Sequence, residues 1–264
     1  MSASTWHYGV IARYWSEFNT SGPEIDFYRR FVSAGQPALD VACGTGRLLV
    51  PYRRAGLDVD GCDVSEDMVA LCREALEREG LPADLYVQPM HLLDVGRRYR
   101  TVFICGGFGL GATRAQDRAA LLRIRACLEP GGLLVFDVEM PYADARQWQR
   151  WLKAKRADLP EAWRESAPRR TASDGTDYEL RVRTVDLDPL GQRLSLQMWA
   201  RQWRGDVLLA DETSQLTANL YFRPELELML QQAGFSEVEV EGQYTGRPAT
   251  PEDDFLLFIA RNGA

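Results

Sequence analysis

The spacing of apolar residues changes from a helical period to a strand period along this chain. Residues 6–34 carry aliphatic and aromatic side chains at helical spacing on both sides of the turn Ser21-Gly22-Pro23, which predicts two N-terminal helices. Short apolar runs then alternate with amphipathic stretches. Strands are predicted at 38–42, 57–62, 83–88, 101–105 and 133–138, and helices at 47–55, 65–79 and 116–128. This order predicts an α/β fold with a doubly wound, mostly parallel sheet.

The alternation breaks after Pro141. Residues 144–170 predict irregular helix, and two alternating runs at 178–187 and 193–203 flank the turn D-P-L-G-Q. A third run spans 208–221, so we predict three antiparallel strands. A helix at 224–233 and strands at 238–241 and 255–260 then resume the first pattern. The predicted parts are an N-terminal helical lid (1–35), an α/β domain (36–141 and 219–264) and an inserted β cap (142–218).

Charge and cysteine usage narrow the classes of function. The net charge of the 264 residues is −7 and no block of lysines stands out, which argues against a nucleic-acid partner. The five cysteines form no C-x-x-C pair, so we expect free thiols and no metal site. No basic start before an apolar core and no long apolar run is present, so we expect no secretion signal, no membrane partner and a cytoplasmic location.

The segment L-D-V-A-C-G-T-G-R, residues 39–47, lies where the first strand ends and a helix begins. Glycines at such a turn let the backbone approach a ligand closely, and the helix N-terminus presents free N–H groups. Gly44 and Gly46 match the first pair of a dinucleotide motif, but Leu49 stands where its third glycine belongs. An NAD(P)-dependent oxidoreductase therefore stays an alternative, and a disfavoured one.

Four segments in order resemble the class I methyltransferases that use S-adenosylmethionine and act on small molecules. They are L-D-V-A-C-G-T-G-R-L, G-C-D-V-S-E-D-M, L-E-P-G-G-L-L-V-F-D and F-R-P-E-L-E-L-M-L-Q-Q-A-G-F. The resemblance implies a seven-stranded Rossmann-like sheet covered by the helical lid and the cap. It implies S-adenosylmethionine as the cofactor and S-adenosylhomocysteine as the product.

The resemblance also implies roles for single residues. Asp63, at the end of the second strand, would bond the ribose hydroxyls, and Asp40 would order the glycine loop near the methionine amino group. The family usually has an acid after the third strand that bonds adenine, whereas this chain has Pro89. The Met90 backbone, or the side chain of Gln88 or Asp94, would then serve adenine. The predicted cofactor-binding residues are Tyr8, Tyr14, Asp40, Ala42, Cys43, Gly44, Gly46, Asp63, Val64, Met68, Met90, Cys105 and Gly106.

The sequence gives less specific signals for the residues that bind the methyl acceptor. Phe108, Asn219 and Tyr221 are predicted to contact the acceptor, and Glu139, after the fifth strand, is predicted to orient or deprotonate it. For Tyr8 and Tyr14, core packing is an equally good interpretation. We predict methyl transfer to an N or O atom of a small-molecule acceptor by in-line displacement. A non-catalytic S-adenosylmethionine-binding protein stays open, as does a homodimer formed through the cap.

Overall fold

The computed structural model describes residues 5–263. Residues 1–4 of the predicted lid and residue 264 lie outside the described residues. The strands are β1 (Ala38–Val41), β2 (Val59–Asp63), β3 (Leu85–Val87), β4 (Tyr99–Ile104), β5 (Leu128–Glu139), β6 (Arg170–Thr171), β7 (Thr176–Asp188), β8 (Arg193–Arg204), β9 (Val207–Asn219), β10 (Phe235–Gly242) and β11 (Phe255–Asn262).

Two helices that border the main sheet begin at side-chain caps that the sequence offers. Ser65 accepts a hydrogen bond from the backbone N–H of Met68, and Thr113 forms a capping box with Gln116. These two caps orient the first turns of two helices toward the same edge of the main sheet. The helices are α1 (Gly9–Phe18), α2 (Glu24–Ala34), α3 (Leu49–Arg54), α4 (Glu66–Arg78), α5 (Arg114–Cys127), α6 (Ala145–Gln149), α7 (Lys153–Arg156) and α8 (Arg223–Gln232).

The main sheet has seven strands in the order β10-β11-β5-β4-β1-β2-β3. The five strands from β5 to β3 run parallel, and β11 pairs antiparallel with both β5 and β10. All four residues of β1 are buried, because helices cover both faces of the sheet at its centre. The strand order reverses beside β1, which is where such sheets bind ligands. The predicted fold class is confirmed.

The second sheet is antiparallel, in the order β6-β7-β8-β9. The sequence predicted three of these strands. The fourth, β6, has two residues and pairs with β7 across a tight turn, and two residues are too few to show an alternation of polarity. Leu110 forms a bridge with Ala218, so the loop after β4 touches the last residues of β9. This sheet therefore leans over the edge of the main sheet where the parallel strands end.

Helix α1 packs on the second sheet more than on the first. Val10 and Ile11 are buried in a cluster with Met198 and Leu216 of the cap. The N-terminus of α1 bonds to both parts of the molecule. The Gly9 N–H donates to Asp67 at the start of α4 over 2.7 Å, and the Val10 N–H donates to Glu212 of β9 over 3.4 Å. The lid therefore joins cap and core through one helix terminus.

The start of β5 differs from the prediction. The sequence predicted that Pro130-Gly131-Gly132 closes a helix before a strand at 133, whereas β5 already begins at Leu128, which pairs with Tyr99. A Cβ atom on Gly132 would lie 3.0 Å from the carbonyl oxygen of Arg100. The glycine is thus required because two neighbouring backbones approach closely, and the strand runs through what looked like a turn.

Two absences can be stated for residues 5–263. Not one of the helices found there is both long and apolar enough to cross a membrane. In the same residues, His, Cys, Asp and Glu side chains do not gather in threes as a metal site requires.

Asp253 gives the fold a testable dependence on pH. Its carboxylate is buried between β10 and β11, where it accepts hydrogen bonds from Arg247 and from the Thr250 N–H, at 2.8 and 2.7 Å. The Arg247 guanidinium is the main cause that lowers the pKa of Asp253 from 3.8 to about 2. Because the folded-state pKa lies below the ordinary value, the ionised carboxylate stabilises the fold above pH 3.8, and this contribution disappears as the pH falls toward 2.

We therefore expect Asp253→Asn to lower the free energy of unfolding by about 1–3 kcal/mol at neutral pH. The difference from the wild type should narrow as the pH is lowered toward 2. Urea unfolding followed by circular dichroism at a series of pH values measures this, and Asp254→Asn, at the exposed neighbouring position, is the matched control. A difference that stays constant across the series would contradict the proposed ion pair.

Candidate active site

A cavity of about 390 Å³ lies at the edge where the parallel strands of the main sheet end. The turns after β1, β2, β3 and β4 form its floor, the segment before α1 and α1 itself form one wall, and Leu196 and Leu216 of the cap close another. The structure brings most of the predicted cofactor residues into this lining, namely Asp40, Ala42, Cys43, Gly44, Asp63, Val64, Met68, Met90, Cys105 and Gly106.

The turn after β1 depends on left-handed backbone conformations. Ala42, Gly44 and Gly46 have φ angles of 63°, 55° and 86°. A Cβ atom on Gly44 would meet nothing within 4 Å, because this glycine faces the cavity. A Cβ atom on Gly46 would lie 2.8 Å from the Cys72 sulfur. Gly46 therefore allows close packing against α4 and does not line the cavity, in contrast to its predicted role.

Asp63 holds two turns together. One carboxylate oxygen accepts from the Gly44 N–H and the other from the Ser65 N–H, both at 2.9 Å. Burial raises the pKa of Asp63, and the bonds from Ser65 and Gly44 oppose this rise. Each oxygen keeps a lone pair for a further donor. The side chain can therefore accept from a ligand diol while it anchors the glycine loop.

Asp40 is buried at the cavity floor, and burial raises its pKa well above the usual value. The N–H of Gly44 in the glycine loop donates to Asp63 and not to Asp40, so the structure gives no direct bond for the predicted role of Asp40 in ordering this loop. Within residues 5–263, neither oxygen of Asp40 receives a hydrogen bond from the protein. A buried carboxylate without partners favours a cationic or N–H donor in the cavity.

Asp137 and Arg47 are functional candidates that the sequence reasoning missed. Asp137 accepts from the Gly106 N–H at 2.9 Å and from the Tyr28 hydroxyl at 2.6 Å, and so it positions the loop after β4. Arg47 lines the cavity, forms an ion pair with Glu24 of α2 and contacts the Cys105 sulfur at 3.4 Å. A charged residue inside each apolar motif was the signal that could have identified both.

The segment before α1 forms a lid over the cavity. Trp6 and His7 line it, and the Ser65 hydroxyl donates to the His7 carbonyl. Burial lowers the pKa of His7 to about 4, so its ring is neutral at pH 7. The ring nitrogens bond to the Trp6 indole N–H at 3.2 Å and to the Thr5 hydroxyl at 2.8 Å. His7 is therefore a structural part of the lid.

The two predicted tyrosines lie outside the cavity lining. The Tyr14 ring packs at a tilt against Phe18, with ring centroids 4.8 Å apart, and its hydroxyl accepts from Arg170 at 3.4 Å. It belongs to the packing between α1 and the cap, which is the core interpretation left open by the sequence. Tyr8 precedes α1 near Asp63, and burial followed by the charge of Asp63 raises its pKa.

The predicted acceptor residues are not brought into the cavity either. Phe108 is buried against Phe136, with centroids 4.9 Å apart. Asn219 and Tyr221 both donate to Asp117 of α5, and it is Asp117 that lines the cavity. Glu139 is exposed at the last position of β5, outside the lining. Sequence reasoning placed these residues near the right edge of the sheet but could not tell which way their side chains point.

Comparison with known proteins agrees with this geometry. Residues 38–132 match the family model described as a methyltransferase domain. The chain is 31% identical over 113 residues to dTDP-3-amino-3,4,6-trideoxy-alpha-D-glucopyranose N,N-dimethyltransferase of Streptomyces venezuelae, which is 42% of this chain and 46% of the relative. The chain thus spans about half the length of the curated relatives it matches.

Solved structures match over nearly the whole chain. The CcbJ methyltransferase of Streptomyces caelestis has a TM-score of 0.73 and 22% identity, with all of both chains covered. The sugar N-methyltransferase KedS8 of Streptoalloteichus sp ATCC 53650 has a TM-score of 0.68 and 19% identity, covering 100% of this chain and 99% of KedS8. At these identities the likeness shows the fold.

Residues 38–132 thus match a methyltransferase domain, and the chain as a whole has the fold of S-adenosylmethionine-dependent methyltransferases. Both findings agree with the predicted family and with S-adenosylmethionine as the predicted cofactor. Leu49, fully buried beside Gly61, fills the place where a dinucleotide motif needs its third glycine.

We expect Asp63→Asn to weaken the binding of S-adenosylmethionine about tenfold or more. The amide nitrogen cannot accept from a backbone N–H or a ribose hydroxyl, and the loss of one charge-assisted hydrogen bond costs about 1.5–3 kcal/mol. Isothermal titration calorimetry measures the affinity. Glu66→Gln removes a charge three positions along, on an exposed side chain outside the cavity, and should leave the affinity unchanged. Equal affinities of Asp63→Asn and wild type would refute the assignment.

Proposed function

We propose that this protein transfers a methyl group from S-adenosylmethionine to the nitrogen of a small-molecule amine, with a nucleotide-linked amino sugar as the acceptor class. The observation that carries the proposal is the charge pattern of the cavity described above. Its described lining contains three aspartates and one arginine, namely Asp40, Asp63, Asp117 and Arg47.

These charges suit the polar groups of the cofactor. Asp40, buried and unbonded to the protein within residues 5–263, suits the methionine ammonium group, and Asp63 suits the ribose hydroxyls. Arg47, close to Cys105, suits the methionine carboxylate. When bound there, S-adenosylmethionine supplies an electrophilic methyl group on a sulfonium sulfur.

The protein's contribution to catalysis would be alignment and the exclusion of water. Three glycines of the loop after β4, Gly106, Gly107 and Gly109, line the cavity. Because they have no side chains, they leave room for an acceptor. Asp137 holds this loop through the Gly106 N–H. Trp6 of the lid and Leu216 of the cap cover the cavity, which favours an in-line approach in a dry site.

The choice of nitrogen over oxygen rests on the state of the two cavity histidines. Both ring nitrogens of His7 are engaged within the lid, and Nε2 of His91 bonds to the Gln116 amide at 3.2 Å. A hydroxyl acceptor needs a base to become a good nucleophile, whereas an amine attacks once it has lost its proton to water. The lining therefore favours an amine.

The names of the compared proteins point in the same direction. The Streptomyces venezuelae relative is an N,N-dimethyltransferase of a dTDP-linked amino sugar, and KedS8 is a sugar N-methyltransferase. KedS8 matches along the whole chain, including the cap that covers the cavity. These names support an amino-sugar acceptor. The names of these compared proteins do not support the alternative of an NAD(P)-dependent oxidoreductase.

The proposal can be tested by binding and turnover in parallel. We expect S-adenosylmethionine and S-adenosylhomocysteine to bind in calorimetry and NAD not to bind. We further expect methylation of dTDP-3-amino-3,4,6-trideoxyglucose, detected as a gain of one or two methyl masses. The matched control is the same sugar nucleotide with a hydroxyl at position 3, which should not react.

Each other outcome selects a different function. Binding of NAD without S-adenosylmethionine would support the oxidoreductase. Binding of S-adenosylmethionine with no turnover on a broad panel of amines and phenols would support a non-catalytic binding protein. Methylation of the hydroxyl sugar alone would move the acceptor atom from nitrogen to oxygen.

A further inference from the structure

Asp117 is a buried carboxylate that the predicted cofactor contacts do not use. It lies in the first turns of α5 and is 3% exposed. One oxygen, Oδ2, accepts from the Asn219 amide at 2.7 Å and from the Tyr221 hydroxyl at 2.6 Å. The other oxygen, Oδ1, receives no hydrogen bond from any residue in 5–263, and the residue lines the cavity.

The position of Asp117 identifies the end of the cavity that it serves. The short 3₁₀ turn Met90–Leu92, which follows β3, packs against α5, and its His91 ring bonds to the neighbouring residue Gln116. Met90, His91, Gln116 and Asp117 line the cavity together. This is the end beyond Asp63, where the base of a bound nucleoside would lie once its ribose is at Asp63.

The side chains that the sequence suggested as adenine acceptors are engaged elsewhere or lie outside the cavity. Pro89 has no polar side chain. The Gln88 amide is closed on the backbone of Asp94, to which it donates at 3.0 Å and from which it accepts at 2.8 Å. Asp94 itself is exposed and outside the lining. The sequence-based suggestion that Gln88 or Asp94 supplies the adenine acceptor is therefore not supported by the structure.

We propose that Asp117 Oδ1 accepts a hydrogen bond from the exocyclic amino group of the cofactor's adenine, and that Asn219 and Tyr221 are the residues that position it. The inference rests on the proposed function, since it assumes S-adenosylmethionine in this cavity. It completes a one-to-one match. The three lining aspartates, on β1, β2 and α5, face the three donor groups of the cofactor, which are the ammonium, the ribose diol and the adenine amine.

The arrangement also predicts selectivity for the base. A carboxylate can only accept, so it bonds an amino group and repels the carbonyl oxygen that replaces the amino group in hypoxanthine. Oδ1 of Asp117 is buried in the complex. A ligand that offers it no donor gains no hydrogen bond, yet the free-energy cost of removing water from this oxygen remains. Asn219 and Tyr221 donate hydrogen bonds to Oδ2 of Asp117. Oδ1 is therefore the oxygen that would bond to the base.

The test compares S-adenosylhomocysteine with S-inosylhomocysteine, in which a carbonyl oxygen replaces the amino group of the base and the adjacent N1 carries a proton. Calorimetry of the full chain should show at least a tenfold preference of the wild type for the adenine form. In Asp117→Asn the amide oxygen can keep the bonds from Asn219 and Tyr221 while the amide nitrogen faces the cavity. We expect the affinity for S-adenosylhomocysteine to fall about tenfold, and that for S-inosylhomocysteine to hold or rise.

Two further variants separate positioning from general stability. Tyr221→Phe removes one bond to Oδ2 and should reduce the preference for adenine over hypoxanthine, whereas a purely structural role would weaken both ligands equally. Asp94→Asn, an exposed carboxylate beside Gln88, should leave both affinities at the wild-type value. Thermal unfolding of each variant checks that it is folded.

The outcomes distinguish this inference from the proposed function. A wild type that binds both ligands equally, or an Asp117→Asn variant that weakens both equally, overturns the role of Asp117 alone. So does an Asp117→Asn variant with unchanged nucleoside binding but a raised KM for the amine, because Oδ1 would then serve the acceptor. A wild type that binds neither S-adenosylhomocysteine nor S-adenosylmethionine overturns both.

Discussion

The carboxylate of Asp63 is the constraint on which the rest of the site depends. By accepting from the N–H groups of Gly44 and Ser65, it ties the turn after β1 to the turn after β2. Each of these turns leads into a helix, and the N–H groups of both turns face the cavity. The carboxylate of Asp63 lies between the two turns and fixes the distance between them. The Ser65 hydroxyl then bonds to the His7 carbonyl, so the same cluster also anchors the lid. The geometry of both turns and the position of the segment before α1 thus depend on one buried cluster around Asp63.

The cavity exists because three separate segments meet at one edge of the sheet. The parallel strands supply the floor, the cap leans over it through the bridge between Leu110 and Ala218, and α1 fills the angle between them. The helix N-terminus bonds to Asp67 of the core and Glu212 of the cap. Closure of the site is therefore coupled to the position of the cap. The antiparallel sheet and α1 form one packed unit in this chain.

Residues whose position depends on the backbone path of a strand or turn could be predicted from the sequence. Asp63, Gly44 and Met90 line the cavity because a motif at the end of a parallel strand has only one edge of the sheet to occupy. Glu139 ends β5 at that same edge, but it is exposed and lies outside the cavity lining. Asn219 and Tyr221 were recognised as polar residues near the site, yet they hold Asp117 and do not line the cavity. Asp117 itself lies in a helix whose sequence gives no sign of a ligand.

The sequence by itself determined the parallel sheet, the glycine turn and the class of cofactor, because these depend on local hydrophobic periodicity and on short motifs whose geometry is set within a few residues. Only the tertiary structure decided which carboxylates face the cavity. That outcome depends on contacts between residues far apart in sequence, such as Asn219 with Asp117 and Arg47 with Glu24. Along the sequence, Pro89 stands where the family usually has an acid. In the fold, the carboxylate of Asp117 from α5 lies at the same end of the cavity as Pro89.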